Sequence, residues 1–311
     1  MTLLCIDLLF CFFSSKSNRQ TSEPVFIVIR IFRSTGSTRM AKIIVGIIGG
    51  TGLDQDSSLL TDKRLVDLKE TPYGRASDTQ AIAGQIEGVD VFIISRHGKN
   101  HDVSPSHVNY RANLWTLVKQ LNCTHVLVTS ACGSLKEHIE PGHIGILDQY
   151  IDRTTSFRDR SFYKVCHVEQ RNPINASMQQ FILEACEEAD LTCHEGLTCV
   201  TIEGPRFSTL AESRLHRSWG CDVVNMTSVP EVQLATELAT MYACILLVTD
   251  YDCWRDDGEC VSSSGVLERM KDLGAKARKI IPGVIRRMAA FDWSKQMKEN
   301  EKSLKDSIMV E

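Results

Sequence analysis

The sequence predicts an α/β protein built around one large domain. Short runs of Val, Ile and Leu alternate with longer segments whose apolar residues recur every three or four positions, which is typical of a sheet covered by helices. No internal repeat is found, and no linker rich in Pro, Gly or Ser divides residues 40–293. The chain has 311 residues, of which 43% are hydrophobic and 24% charged, so its composition is that of an ordinary globular protein.

Seven apolar runs are predicted strands. In chain order they are residues 43–48, 91–95, 125–129, 143–148, 197–202, 222–225 and 243–249. Two helices are predicted because each carries apolar residues at i, i+3, i+4 and i+7. These residues are Leu114, Leu117, Val118 and Leu121 in one helix, and Met178, Phe181, Ile182 and Ala185 in the other. A third helix is predicted from Ser228 to about Tyr242, because Ser228 and Glu231 form a capping-box pattern with Pro230 in the first turn.

The two ends of the chain are expected to lie outside this domain. Residues 3–13 are apolar, but Asp7 interrupts them, no Lys or Arg precedes them, and they are shorter than the roughly 20 residues of a membrane span. We therefore interpret residues 1–39 as a disordered extension with Met40 as an alternative start, rather than as a targeting signal or a membrane anchor. Residues 294–311 are rich in Lys and Glu and are expected to form a charged tail.

Charge and cysteine content exclude several classes of function. The chain has 35 Lys and Arg against 39 Asp and Glu, a net charge of −4, so no overall positive field is available to bind a nucleic acid. Its 12 cysteines are scattered and form no C-x-x-C pair. We therefore expect reduced thiols in the cytoplasm rather than a disulfide scaffold.

Six motifs follow or overlap the ends of predicted strands and carry groups suited to a small-molecule site. They read G-I-I-G-G-T-G (46–52), S-R-H-G (95–98), T-S-A-C-G-S (129–134), T-I-E-G-P-R-F-S (201–208), N-M-T-S-V-P-E (225–231) and T-D-Y-D-C-W (249–254). The first is a glycine-rich turn, which suits an anion but matches neither common nucleotide-binding fingerprint. A plain tight turn at a strand end explains that motif equally well.

The S-R-H-G and T-S-A-C-G-S motifs favour an anion site. Arg96 has a planar fork suited to phosphate or carboxylate. A zinc site at His97 and His101 is the weaker alternative, because no H-E-x-x-H pattern or nearby Cys supports it. Cys132 is interpreted as a packing residue rather than a nucleophile, since the sequence around it shows no basic environment that would lower its pKa.

The remaining motifs carry groups that could contact a base. Phe207 could stack on an aromatic ligand, although a lone Phe is more often part of the core. Asp250 and Asp252 follow an apolar strand, and burial there would raise a carboxyl pKa and allow the group to act as an acid. For an isolated D-x-D pattern, two solvated loop aspartates are the commoner outcome.

Together and in this order, the six motifs resemble the trimeric purine nucleoside phosphorylase family, specifically its 5′-methylthioadenosine phosphorylase branch. The resemblance covers residues 42–293. It implies a single-domain α/β/α fold with a mixed, barrel-like central sheet, a homotrimer with sites near subunit contacts, and a cytoplasmic location with the nucleus as a second compartment. The implied reaction is phosphorolysis, in which inorganic phosphate is a co-substrate and no metal or other cofactor is needed.

The resemblance assigns the site residue by residue. It implies a phosphate site made of Thr51, Arg96, His97, Ser130, Ala131 and Thr227. It implies a nucleoside site made of His101, Phe207, Ser208, Met226, Asp250, Asp252, Ser263, Val266 and Met270. Asp250 would be the catalytic acid that protonates purine N7, and Asp252 would accept a hydrogen bond from a 6-amino group. The pair therefore favours adenine over a 6-oxopurine.

Three positions depart from the family pattern. Ser130 stands where Thr is usual and keeps the hydroxyl. Only Lys164 remains of a longer segment that normally contributes a His to the neighbouring subunit's site. Ser263 and Met270 stand where Val and Leu are expected, so we predict a more polar and adaptable 5′ pocket with some adenosine activity. A 6-oxopurine nucleoside phosphorylase and a non-catalytic nucleoside-binding module are the alternative functions.

Overall fold

A computed structural model describes residues 42–49, 59–155, 157–256 and 261–310 of the chain. All of them fall within one unit, Met40–Glu311. Residues 1–39, which the sequence predicts to be an extension, lie outside the described residues, and so does Thr51.

The seven predicted apolar runs all coincide with strands. The strands are β1 (Ile44–Gly49), β2 (Thr61–Asp67), β3 (Gln80–Ile86), β4 (Val89–Ser95), β5 (His125–Ser134), β6 (Ile144–Arg153), β7 (Val165–Cys166), β8 (Cys193–Ile202), β9 (Val223–Asn225), β10 (Met241–Asp250) and β11 (Ile308–Val310). The helices are α1 (Tyr110–Trp115), α2 (Ala176–Glu188), α3 (Leu210–Ser218), α4 (Ser228–Thr236), α5 (Ser263–Ala290) and α6 (Ser294–Ser307). A wider turn over Thr116–Gln120 continues α1 and completes the first predicted helix.

Five of the strands close into a ring. Around it, β5 pairs with β10, β10 with β6, β6 with β8, β8 with β9, and β9 with β5. The β10–β6 and β9–β5 pairs are antiparallel and the other three are parallel. Strands β1, β4, β3 and β2 extend the sheet from β5. The predicted fold class, α/β with a mixed, barrel-like central sheet, is confirmed.

Helices α2 and α5 cover the sheet, and α2 does so with the apolar face that its periodicity predicts. Asn175 caps α2 by accepting a hydrogen bond from the Met178 backbone N–H at 3.0 Å. Met178, Ile182 and Ala185 are buried against the core. Helix α5 is 28 residues long and amphipathic, with one buried face. Within the described ranges, no helix combines the length and apolar composition that a membrane span requires.

Helix α4 is shorter than predicted and begins differently. It ends at Thr236 rather than near Tyr242, because Tyr242 belongs to the buried strand β10. Val229 has extended backbone angles (φ −107°, ψ 132°), and Glu231 does not close a capping box. The Glu231 carboxylate instead binds Arg96. The capping-box pattern therefore located the start of the helix correctly but assigned the wrong role to its acidic residue.

The charged segment at residues 294–310 is more ordered than its composition predicts. Its helix α6 packs Met297 against the core, and Gln296 accepts a hydrogen bond from the Asn175 side chain at 2.8 Å. Strand β11 then pairs antiparallel with β7, which follows directly on Lys164. The charges line the exposed side of α6, while these three contacts attach the segment to the domain.

Candidate active site

One cavity of about 400 Å³ brings together residues from five of the six sequence motifs. The predicted site residues that line it are Arg96, His97, His101, Ser130, Ala131, Phe207, Ser208, Met226, Thr227, Asp250, Asp252 and Val266. The segment Asp102–Pro105, which the sequence analysis did not single out, lines it as well. The motifs meet here because the ring brings the ends of β5, β8, β9 and β10 close together, and β4 joins them through β1, which pairs with β5.

Helix α5 presents only one of its three predicted site residues to the cavity. Val266 lines the cavity, but Ser263 is exposed to solvent and Met270 is buried in the hydrophobic core. The cavity meets α5 at a single turn. One turn before that point the helix faces solvent, and one turn after it the same face is covered by the core. The expected contribution of Ser263 and Met270 to a 5′ pocket is therefore not supported.

Arg96 is held rigidly in the cavity wall. Its Nε and Nη2 donate to the two carboxylate oxygens of Glu231 at 2.9 and 3.2 Å, and Nη1 donates to the Thr129 carbonyl at 3.1 Å. Glu231 also accepts a hydrogen bond from the Tyr242 phenol at 2.8 Å. A guanidinium has five N–H groups. The bonds to described residues leave two of them for a ligand.

Two hydroxyl groups lie beside Arg96 in the same wall. The Ser130 and Thr227 hydroxyl oxygens are 3.0 Å apart. The Asn225 amide donates to the Ser130 hydroxyl at 3.1 Å and to the Ser228 hydroxyl at 2.7 Å, and it accepts from the Thr201 hydroxyl at 3.1 Å. Ser130 accepts from Asn225, and its own proton is directed at the Ala131 carbonyl oxygen at 3.3 Å, a long hydrogen bond that a ligand oxygen could replace. With Arg96, these hydroxyls form a set of donors suited to a tetrahedral oxyanion.

His97 contributes a neutral imidazole to the cavity. Its Nδ1 lies 2.8 Å from the Val103 carbonyl oxygen, and because a carbonyl oxygen only accepts, Nδ1 carries the proton. Burial, together with the charge of Arg96 and the neighbouring His101, lowers the pKa of His97 to about 4. The His97 and His101 ring centroids are 4.7 Å apart. Among the described residues, no cluster of three or more His, Cys, Asp or Glu is arranged to hold a metal ion.

Asp250 and Asp252 form a second polar region of the cavity. Burial is the main cause that raises the pKa of both carboxyl groups. Asp250 accepts hydrogen bonds from the Thr249 hydroxyl at 2.6 Å and the Asp252 backbone N–H at 2.7 Å. Asp252 Oδ2 and the Ser208 hydroxyl are buried and form no hydrogen bond of good geometry with the described residues, although the Ser208 and Ser213 hydroxyls lie near enough to Asp252 to oppose the rise in its pKa. Unpaired buried polar groups of this kind indicate a place for a polar ligand.

Gly133 allows the backbone of β5 to approach these carboxylates. A Cβ atom at position 133 would lie 2.7 Å from Asp250 Oδ1 and 3.3 Å from Asp252 Cβ, so no larger residue fits without displacing Asp250. The preceding Cys132 is buried, and burial raises the pKa of its thiol well above the ordinary value. Cys132 is therefore a neutral packing residue rather than a nucleophile.

Arg158 is an important site residue that the sequence analysis missed. Its buried guanidinium donates to the Glu203 carboxylate at 2.9 Å and to the carbonyls of Glu203, Met226 and Val229 at 2.7, 2.8 and 2.7 Å. It thereby connects two motifs that form different walls of the cavity. No local pattern distinguishes Arg158 from the more exposed Arg160, because all four acceptors lie at least 45 residues away in the chain.

Comparisons with known proteins agree with this architecture. Residues 44–287 match the model of the phosphorylase superfamily. S-methyl-5′-thioadenosine phosphorylase of Xenopus tropicalis is 44% identical over 275 residues, covering 86% of this chain and 96% of that protein. The Anopheles gambiae protein of the same name is 46% identical over 278 residues, covering 87% and 98%.

Solved structures from Schistosoma mansoni are similar as well. Methylthioadenosine phosphorylase in complex with adenine has a TM-score of 0.81 at 37% identity and covers 86% of this chain and 99% of its own. A mutant of the adenosine/methylthioadenosine phosphorylase in complex with methylthioadenosine has a TM-score of 0.79, with the same identity and coverage.

Replacing Arg158 by Ala should lower the free energy of unfolding by about 3 kcal/mol, because the substitution removes a buried donor from three backbone carbonyls and leaves the Glu203 carboxylate with only its hydrogen bonds from Thr155. Arg206→Ala is the matched control, since it breaks a bidentate pair with Glu212 that is exposed to solvent. We expect the control to cost less than about 1 kcal/mol. Denaturant unfolding of both variants measures the difference, and equally small losses would contradict the role assigned to Arg158.

Proposed function

Since the chain belongs to the phosphorylase superfamily, we propose that it catalyses the phosphorolysis of 5′-methylthioadenosine to adenine and 5-methylthioribose 1-phosphate. One observation carries the proposal: a single cavity combines the oxyanion donors Arg96, Ser130 and Thr227 with the buried carboxyl groups Asp250 and Asp252. The relatives named S-methyl-5′-thioadenosine phosphorylase support the choice of substrate.

The two polar regions are spaced as a nucleoside and phosphate require. Ser130 belongs to the donor set, and Gly133 lies against Asp250. These residues are three positions apart on β5, or about 10 Å along the strand. That distance leaves room for a ribose between the phosphate and the base. Met226 would contact the sugar, and Phe207 would stack on the purine.

The proposed reaction forms a bond from a phosphate oxygen to C1′ while the C1′–N9 bond breaks. Positive charge develops on the ribose in the transition state, and the phosphate held beside C1′ stabilises that charge and supplies the nucleophile. The electron pair of the broken bond remains on the purine. Protonated Asp250 donates its proton to N7, so adenine leaves as a neutral molecule. This chemistry needs no metal or other cofactor.

Asp252 selects the base in this proposal. Its unpaired Oδ2 would accept a hydrogen bond from the 6-amino group of adenine. A 6-keto oxygen would direct its lone pairs at those of the carboxylate, so no hydrogen bond would form. This mismatch would lower kcat/KM for a 6-oxopurine nucleoside even without a steric clash. The arrangement favours an adenine nucleoside over the 6-oxopurine alternative.

We propose adenosine as a second, slower substrate. The expectation that Ser263 would bind a 5′-hydroxyl no longer supports this, because Ser263 is exposed. The segment His101–Pro105 and Val266 supply a wall that mixes polar and apolar groups instead. Burial of a methylthio group against such a wall discriminates by only about 1–3 kcal/mol, which leaves room for measurable adenosine turnover.

Release of adenine from 5′-methylthioadenosine should require inorganic phosphate, with 5′-methylthioadenosine turned over faster than adenosine and adenosine faster than inosine. Chromatographic detection of free base, with and without phosphate, tests the proposal. Fastest turnover of inosine would favour the 6-oxopurine alternative. Tight nucleoside binding without release of base would favour the non-catalytic alternative.

Asp250→Asn should lower kcat by about 10²- to 10⁴-fold, because the amide cannot supply the proton that the leaving purine needs. The pKa of Asp250 is raised, and a general acid acts only while protonated. In the unmodified protein kcat should therefore fall as the pH rises through that pKa. The pH profile of the variant should not show this fall. Near-normal turnover by the variant would contradict the assignment.

Asp252→Asn should raise kcat/KM for inosine relative to adenosine, because the Asn amide can donate to a 6-keto oxygen, which the carboxylate cannot. Asp250→Asn serves as the comparison, since it should slow both nucleosides. Steady-state kinetics on the two substrates give the ratio. An unchanged ratio in Asp252→Asn would place the recognition of position 6 elsewhere.

From the family resemblance we also propose a location in the cytoplasm and the nucleus.

We further propose a homotrimer in which a neighbouring subunit covers the mouth of the cavity. Phe207 lines the cavity yet is 37% exposed, and the large apolar residues Phe157 and Leu210 are exposed at 66% and 42%. Light scattering should give three times the 34.8 kDa mass of the chain. A fully active monomer at assay concentration would contradict the trimer.

A further inference from the structure

The oxyanion end of the cavity contains a hydrogen-bond acceptor as well as donors. The Val103 carbonyl fixes the proton of His97 on Nδ1, so the neutral ring carries its free lone pair on Nε2. Burial and the adjacent charge of Arg96 keep the ring in this neutral form at pH 7, because they lower the pKa of His97. His101 acts in the same direction, and only the bond to Val103 opposes it.

The carboxylate of Glu231 neutralises the charge of Arg96 before any anion binds. The side chains of Arg96 and Glu231 are each about 1% exposed and lie 2.9 Å apart, so the pair is neutral as a whole. The same cavity contains the carboxyl groups of Asp250 and Asp252. Recognition of an oxyanion here therefore depends on the pattern of hydrogen bonds more than on net positive charge.

We propose that His97 makes this site selective for tetrahedral oxyanions that carry an O–H group, such as phosphate and arsenate, over sulfate. The inference deepens the proposed function and rests on it for phosphate as the co-substrate. Arg96, Ser130 and Thr227 donate to the unprotonated oxygens, and His97 Nε2 accepts the proton of the remaining P–O–H group. At neutral pH phosphate and arsenate keep at least one O–H group, whereas sulfate has none.

The selectivity follows from what a mismatched acceptor costs. Sulfate in the same position would direct an oxygen lone pair at the Nε2 lone pair, and neither atom would gain a hydrogen bond. A lost hydrogen bond of this kind is worth about 1.4 kcal/mol or more, which corresponds to about a tenfold change in affinity. Phosphate and sulfate are similar in size and shape, so the difference in their affinities depends on this contact.

Calorimetric titration of the full chain with phosphate, arsenate and sulfate tests the proposal. The titrations are carried out at pH 7 and constant ionic strength, without a nucleoside. We expect phosphate and arsenate to bind at least about tenfold more tightly than sulfate. His97→Ala should bring the phosphate-to-sulfate ratio close to one, because it removes the acceptor that phosphate uses and that sulfate opposes.

Ser130→Ala is the matched control, since it removes a donor that serves both anions. It should weaken phosphate and sulfate alike and leave their ratio unchanged. Circular dichroism establishes that each variant is folded, and if His97→Ala is not, the ratio in the unmodified protein decides. Equal binding of all three anions, or an unchanged ratio in folded His97→Ala, would overturn the inference while phosphorolysis itself remained intact. Failure of phosphate to bind at all would overturn the proposed function as well.

Discussion

The buried ion pair between Arg96 and Glu231 is the interaction on which the cavity depends. It joins the residue that follows β4 to the first turn of α4, and the bonds to Thr129 and Tyr242 add β5 and β10 to the same network. Removing one partner of a buried pair costs several kcal/mol because the other charge is left without compensation. The four elements are therefore fixed relative to one another, and the wall that faces the oxyanion is formed before any ligand binds.

Closure of the ring places the acid opposite this wall. Strands β5 and β10 run parallel, and the register between them shifts between Val248 and Asp250, so Asp250 pairs with Gly133. An irregularity of this kind redirects a side chain at the end of a strand. The same shift brings the backbone N–H of Asp252 to the Asp250 carboxylate. A local departure from regular pairing thus organises the two carboxyl groups that a base would contact.

Much of the fold and of the site could be predicted because its strong signals are local. Strands buried on both faces are continuous apolar runs, and each motif lies in or just after one of them. Strand β2 could not be found this way, because it lies at an edge of the sheet and its side chains are almost all exposed. The roles of Glu231 and Arg158 depend on partners 135 and 45 or more residues away. Ser263 and Met270 were assigned through the family resemblance, which matches positions in the sequence and does not give the depth at which the cavity meets helix α5; of the three assigned residues on α5, Val266 lines the cavity.

The contact between Gly133 and Asp250 constrains how this site can change over evolution. Asp250 Oδ1 occupies the space that a methyl group at position 133 would need, so position 133 must remain glycine as long as the Asp250 side chain keeps this orientation. Position 252 has more freedom, because its approach to Gly133 involves the backbone nitrogen and Cβ, and the rest of the side chain takes no part in it. Homologues that diverge in the base they accept are therefore free to exchange the end of the side chain at 252, while any homologue that keeps the acid in this orientation also has to keep the glycine.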